Sequence, residues 1–203
     1  VLTRAPGQSG NSELTARIND LAPHDWNQAR FRVLNKIRDE SLAVTKTVGA
    51  RFYFTADSDN FIHPSTLRDL VALNLPIVAP FLRLTDPAAL YSNFHAAVDE
   101  TGYFRDVPLY GLIMNQTARG IIEVPVVHCT YLVREDVIPA LHYQDGIEAR
   151  HDYVIFSESA RVAGVPQFLD NRHVYGYITF GPDDPNHHRP GDIERAREML
   201  GMK

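Results

Sequence analysis

An α/β fold built on a mixed sheet is predicted by the order in which two periodicities occur along the chain. Helical and strand patterns alternate through the first part, and hairpin-like β segments crowd the middle. The 203 residues contain no internal repeat, no low-complexity tract and no linker long enough to divide them, so one domain over 1–203 is expected.

Residues 1–3 have strand character, and Pro6, Gly7, Ser9 and Gly10 mark a loop. Asn11 or Ser12 would cap a short helix through Leu14 and Ile18 that Pro23 ends. Residues 27–48 form the clearest helical pattern. Phe31, Leu34, Ile37, Ser41, Val44 and Val48 predict its buried stripe, and Gly49 its left-handed end. Residues 52–56 follow as a strand. Pro64 opens a second helix with Leu67, Leu70, Val71 and Leu73 on its apolar side. Residues 77–82 are a short buried strand. Residues 91–98 and 103–114 carry β character around a turn at Glu100-Thr101-Gly102. Residues 124–133 read as one central strand with Pro125 at its start. Residues 135–143 form a helix interrupted by Pro139. His151 and Asp152 head a strong helix with Ile155, Phe156, Ser159 and Ala160 on one face and Gly164 beyond its end. Strands at 165–169 and 174–179, a loop over 181–191 and a polar helix capped by Asp192 complete the chain.

Composition narrows the function. Apolar content of 44% and charged content of 22% suit a globular domain with a core. A formal net charge of -5 without any basic block argues against nucleic acid as a partner. The single Cys129 excludes an internal disulfide and a cysteine zinc cluster, and its apolar neighbours suggest a small core residue rather than a catalytic thiol. Apolar runs are far short of a membrane span, and no signal peptide is visible. The chain opens at Val1 rather than Met, so its natural start is expected upstream.

The stretch with most chemistry is Asp57-Ser58-Asp59-Asn60, at the end of the 52–56 strand. Open α/β sheets hold their ligands at the carboxyl ends of their strands. Two hard carboxylates with coordination positions left over suit Mg²⁺ or Mn²⁺ bridged to a phosphate. Three readings stand here: the metal and diphosphate site of a nucleotide-sugar transferase, the acid pair of an aspartate-based phosphatase, and a plain polar turn. A calcium loop of the EF-hand kind is excluded, since its sixth position would be Ile62 and its twelfth Arg68. No later strand ends in a second paired acid motif, which weakens the phosphatase.

An ordered set of segments carries a resemblance. Asp57-Ser58-Asp59-Asn60, Val78-Ala79-Pro80, Tyr91-Ser92-Asn93-Phe94, Gly102-Tyr103, residues 124–130, Asp152 at its helix start and Tyr175-Gly176-Tyr177 occur in sequence. Together they resemble the amino-terminal glycosyltransferase domain of the procollagen galactosyltransferases, from about Trp26 to Tyr177. The resemblance implies a GT-A type fold, a mixed sheet flanked by helices. The opening of the chain looks like the second strand and helix of such a fold, so about one βα unit would be absent.

The same resemblance implies a metal-dependent glycosyltransferase that moves galactose from UDP-galactose to hydroxylysine of collagen-like protein, with inversion. Its expected cofactor is Mn²⁺ or Mg²⁺, its expected location the lumen of the endoplasmic reticulum. Asp57 and Asp59 match the acidic metal motif, and Asp152 matches the general base, although His151 stands where the family tends to have a second acid. Asp152 alone also reads as a helix N-cap. His187 or His188 could add a third metal ligand; the alternative is a solvated pair. Ser92, Asn93, Asn60 and His128 are the expected substrate contacts, with an ordinary strand and a core histidine as the bland alternatives. A non-catalytic binding or assembly module of the same fold is the other class of function. A cytoplasmic location remains the alternative without the family.

Overall fold

A computed structural model gives the structure of residues 28–146, 150–180 and 189–202. The expectations for the opening 27 residues, the absent βα unit among them, lie outside the described residues, as do His187 and His188. The first elements are α1 (Gln28–Thr47), β1 (Phe52–Ala56), β2 (Asn60–Ile62), α2 (Thr66–Leu73), β3 (Ile77–Pro80) and β4 (Leu82–Leu84). Then come β5 (Phe94–His95), α3 (Pro108–Met114), β6 (Ile121–Glu123), β7 (Val126–Val127) and β8 (Thr130–Arg134). After a 3₁₀ turn at Ile138–Ala140 follow α4 (Asp152–Val162), β9 (Gln167–Asp170), β10 (Gly176–Ile178) and α5 (Asp192–Met199).

The sheet is mixed, as the sequence predicts. Its described strands run in the order β1-β8-β3-β9-β6. β1, β3 and β9 point one way, while β8 and β6 run against them. Alternation along the strands sends Val78 and Leu132 to one face, under Leu70 of α2. Tyr53, Ile77, Ala79, Tyr131 and Val133 face the larger core, closed by Leu42 of α1 and by Phe156 and Ala160 of α4. Helices thus cover both faces. Two small sheets, β2-β10-β4 and β5-β7, sit beside the main one. Gly176 is required in β10, because a Cβ there would run into the Phe61 carbonyl oxygen.

α1 corrects the expected stripe. Its buried positions are Phe31, Asn35, Leu42 and Thr45, whereas Ile37, Val44 and Val48 are 57%, 45% and 61% exposed. Both sets recur at helical spacing, so periodicity alone chose the more apolar phase. The face that turns inward carries Asn35, Arg38 and Thr45 because it meets a polar site. Its end is as expected: Gly49 is left-handed at φ 64, and Ala50 N–H bonds back to Thr45 O at 3.2 Å.

Further segments differ. Residues 124–133 are two strands, β7 and β8, broken at His128 and Cys129. Residues 103–114 turn helical at Pro108, which takes the first position of α3. The preceding turn holds, closed by a Val98–Phe104 bridge with Gly102 at φ 88. Residues 135–143 shrink to the 3₁₀ turn around Pro139. The 77–82 run divides between β3 and β4, which pair in different sheets. Pro64 lies just ahead of α2, whose cap is Ser65.

Candidate active site

The carboxyl ends of β1, β3 and β9 share one edge of the sheet, and the amino end of β8 enters there, since Ala56 pairs with Thr130. Asp57 and Asp59 leave β1 at this edge. Their turn is closed by Asn60 N–H to Asp57 O at 3.1 Å. Asp57 N–H donates to Cys129 O at 3.0 Å, and Asp59 O accepts from Thr179 N–H and Oγ1 at 2.9 and 3.0 Å. Asn60 Nδ2 donates to Thr130 Oγ1 at 2.7 Å, while its Oδ1 is buried without a partner. The Asp-Ser-Asp-Asn stretch is therefore both a turn and a clamped platform, held by β8 and by the chain after β10.

Arg38 organises the site from below. One guanidinium nitrogen meets Asp57 Oδ1 at 2.7 Å and another donates to Thr55 Oγ1 at 2.8 Å. Nε lies 2.6 Å from Asp152 Oδ2, an ion pair by distance whose angle is not that of a hydrogen bond. Burial works against the Arg38 charge, but Tyr131, Asp152 and Asp57 around it outweigh that and hold it protonated more firmly than usual. Its side chain is 11% exposed and that of Asp57 36%, so a ligand reaches the carboxylate and not the guanidinium.

Asp152 is the first residue of α4, and His151 before it takes the cap position with extended backbone and no capping bond from its side chain. The plain N-cap alternative for Asp152 thus does not describe it. Burial raises its pKa, Arg38 lowers it, Asp57 raises it again, and the net lies above the usual carboxylate range. Asp57 and Asp152, far apart in sequence, converge on one guanidinium.

Cys129, whose carbonyl accepts from Asp57 N–H, has φ 61, a left-handed conformation rare for a side chain of this kind. Thr130 N–H bonds across it to His128 O at 2.6 Å, a three-residue turn. Its thiol lies 2.9 Å from His128 Nδ1. Burial first, then Asp57, Asp59 and Asp152, push the thiol well above its ordinary pKa, so it stays protonated and is no nucleophile.

A wall of rings stands beside this thiol. His128 packs on Tyr153 at 5.1 Å, on His95 at 5.4 Å and on Tyr91 at 6.2 Å; His151 stacks on Tyr153 at 5.3 Å. Burial keeps these imidazoles neutral: the pKa of His128 is lowered to about 3, that of His95 to about 4, and that of His151 is lowered as well. The wall is polar yet uncharged. Ser92 and Asn93 lie behind it. Asn93 is fully buried, with Nδ2 on Pro80 O at 2.8 Å and Oδ1 on Leu82 N–H at 3.0 Å; Ser92 Oγ donates to Leu82 O. Both stitch the junction of β3 and β4, so their polar atoms are already engaged.

Asp57 and Asp59 are the two carboxylates at the strand end that a hard divalent cation would use there. Asp57 and Asp152, when ionised, carry two negative charges against the single charge of Arg38 between them, and Asp59 leaves the same turn as Asp57. Among the described residues no group of three or more His, Cys, Asp or Glu side chains is placed to hold a metal. Two carboxylates with substrate phosphate completing the shell is how Mg²⁺-type ions are commonly bound. Arg38 is the residue that sequence reasoning missed. The 31/35/38/42/45 spacing contains it, but polar members hid that face. Tyr153 was missed for want of any motif.

The model of the glycosyltransferase family 25 N-terminal domain matches residues 9–196. Procollagen galactosyltransferase 1-A of Xenopus laevis is 34% identical over 167 residues, covering 79% of this chain and 27% of that protein. Human procollagen galactosyltransferase 2 is 32% identical over 183 residues, 87% of this chain and 29% of that protein. Human inactive glycosyltransferase 25 family member 3 is 32% identical over 167 residues, 79% and 28%. The chain spans less than a third of the length of these relatives.

Proposed function

Because the chain belongs to glycosyltransferase family 25 through its N-terminal domain, we propose that it transfers a hexose from a UDP-sugar to a hydroxyl group, with inversion at the sugar carbon. Galactose is the favoured donor sugar and hydroxylysine of collagen-like protein the favoured acceptor, because the relatives include procollagen galactosyltransferases. The same relatives make the lumen of the endoplasmic reticulum its proposed location. One observation carries the reading: Asp57 and Asp152 meet on Arg38 at the ligand edge of the sheet.

Asp57 and Asp59 would hold Mn²⁺ or Mg²⁺ together with the donor diphosphate, and His187 or His188 would add a ligand. Such an ion neutralises the charge that grows on the diphosphate as it leaves. Asp152 accepts the proton of the acceptor hydroxyl. The acceptor oxygen bonds to the sugar carbon while the bond from that carbon to the diphosphate breaks, and UDP departs with that electron pair. The raised pKa of Asp152 makes it a stronger base than an ordinary carboxylate. Asn60, with Oδ1 unpartnered at the platform, is the donor-side contact, and His128 with Tyr153 forms the acceptor side. Ser92 and Asn93 serve through the frame they hold.

Calorimetry of UDP with and without Mn²⁺ tests the metal arm. The expected result is Mn²⁺-dependent binding that Asp57→Asn and Asp59→Asn each weaken by about tenfold or more, the loss of one charged contact. Equal weak binding with and without metal would refute it. A second reading, a binding module without catalysis, has one observation in its favour: relatives of nearly the same identity are named inactive. That module binds donor or acceptor yet shows no transfer by the full-length protein.

A further inference from the structure

Resting on the transferase reading above, we propose that Arg38 is the positioning residue of this site: its planar guanidinium sets Asp152 relative to Asp57 and so fixes the base against the donor diphosphate. The geometry carries this. Three groups meet on one side chain, with Asp57 Oδ1 at 2.7 Å, Asp152 Oδ2 at 2.6 Å and Thr55 Oγ1 at 2.8 Å. Thr55 lies in β1, Asp57 just beyond it, Asp152 at the start of α4, and Arg38 on the buried face of α1.

A guanidinium can do this and an ammonium cannot. Its nitrogens diverge in one plane at fixed angles, so the hydrogen-bonded Asp57 and the ion-paired Asp152 are held at a set separation. Asp57 and Asp152, drawn onto one side chain, would otherwise repel one another and splay. Arg38 also takes a single oxygen from each partner, Oδ1 of Asp57 and Oδ2 of Asp152. It is nearly inaccessible at 11% exposure, below Asp57 at 36%, so it acts through the two acids rather than by touching substrate.

The test separates geometry from charge and from folding. In the full-length enzyme, Arg38→Lys is expected to keep thermal stability and Mn²⁺–UDP affinity within about threefold of the parent, and to leave the donor KM little changed. Its kcat should fall by about 10²-fold, the scale of a small misplacement at a reacting centre. Arg38→Ala should regain transfer with low-millimolar methylguanidinium and not with methylammonium at the same concentration. Full activity in Arg38→Lys would overturn the proposal. So would an Arg38→Ala protein whose lost transfer follows its lost thermal stability and answers to neither cation. If the parent itself binds no Mn²⁺–UDP and transfers nothing, the transferase reading fails. Methylguanidinium that then restores only the melting temperature of Arg38→Ala makes Arg38 a structural bridge, which overturns the positioning role too.

Discussion

Asp152 is pulled two ways, and the balance decides what replacing it does. Burial disfavours its charge, and Arg38 Nε at 2.6 Å favours it. Asparagine keeps an oxygen for that contact and removes the buried charge, so Asp152→Asn should change folding stability by no more than about 3 kcal/mol, the upper range of one polar contact to a charged group. Transfer should fall by about 10²-fold or more, because the proton acceptor is gone. Turnover within a few-fold of the parent would remove Asp152 from the mechanism. The sequence offered the acid and its helix start but not its state. That state depends on Arg38, Asp57 and the depth of burial, all contacts between distant segments. Asn93 makes the same point: a polar residue on a strand reads as a ligand contact, while its hydrogen bonds to Pro80 O and Leu82 N–H are visible only in the fold.

At the scale of elements, α1 shows where pattern reading stops. Its existence and its glycine stop are legible because they rest on local spacing and on φ 64 at Gly49. Its phase is not, because the inward face meets a polar site as well as the core and so carries Asn35, Arg38 and Thr45 beside Phe31 and Leu42. The two phases predict different mutational costs. Leu42→Ala, at 3% exposure, should cost about 2–5 kcal/mol in unfolding free energy, whereas Val44→Ala, at 45% exposure, should stay within about 0.5 kcal/mol. Urea unfolding of the two variants decides, and equal losses would favour the apolar phase after all. The break in 124–133 follows the same logic. Most residues there have strand propensity, and the bend at φ 61 accompanies a bond from Asp57 N–H to Cys129 O that no local pattern records. Pro108 was legible as a helix start and outweighed by the aromatic and aliphatic residues around it.

Across the whole molecule, the neutral histidines tie the site to stability. His95 and His128 are 7% and 6% exposed, and both have pKa values far below the ordinary 6.5, about 4 and about 3, with burial the first cause. In the unfolded chain each takes up a proton near pH 6.5; in the fold it does not. The stability they lend is therefore fully present above pH 6.5 and is lost as pH falls toward 4. A shift of this size corresponds to roughly 3 kcal/mol for His95 alone. His128 adds to it, less than independently, because part of what lowers it is the charge of His95, which is absent while His95 stays neutral. Asp152 works in the opposite sense: its raised pKa means that protonation favours the fold as pH drops, which softens the loss. The carboxylates held low by hydrogen bonds, Asp69, Asp99 and Asp136, matter only below about pH 4, beneath this window. Urea midpoints measured from pH 7.5 to 4.5 should thus fall steadily below 6.5. His95→Phe should flatten that fall, since it removes the titration and also an Nδ1 that has no hydrogen-bond partner. A midpoint independent of pH between 6.5 and 4.5 would mean that the wall is open to water and the imidazoles titrate normally. The acceptor side of the site would then carry positive charge in mild acid, and the neutral wall would have to be abandoned as part of the mechanism.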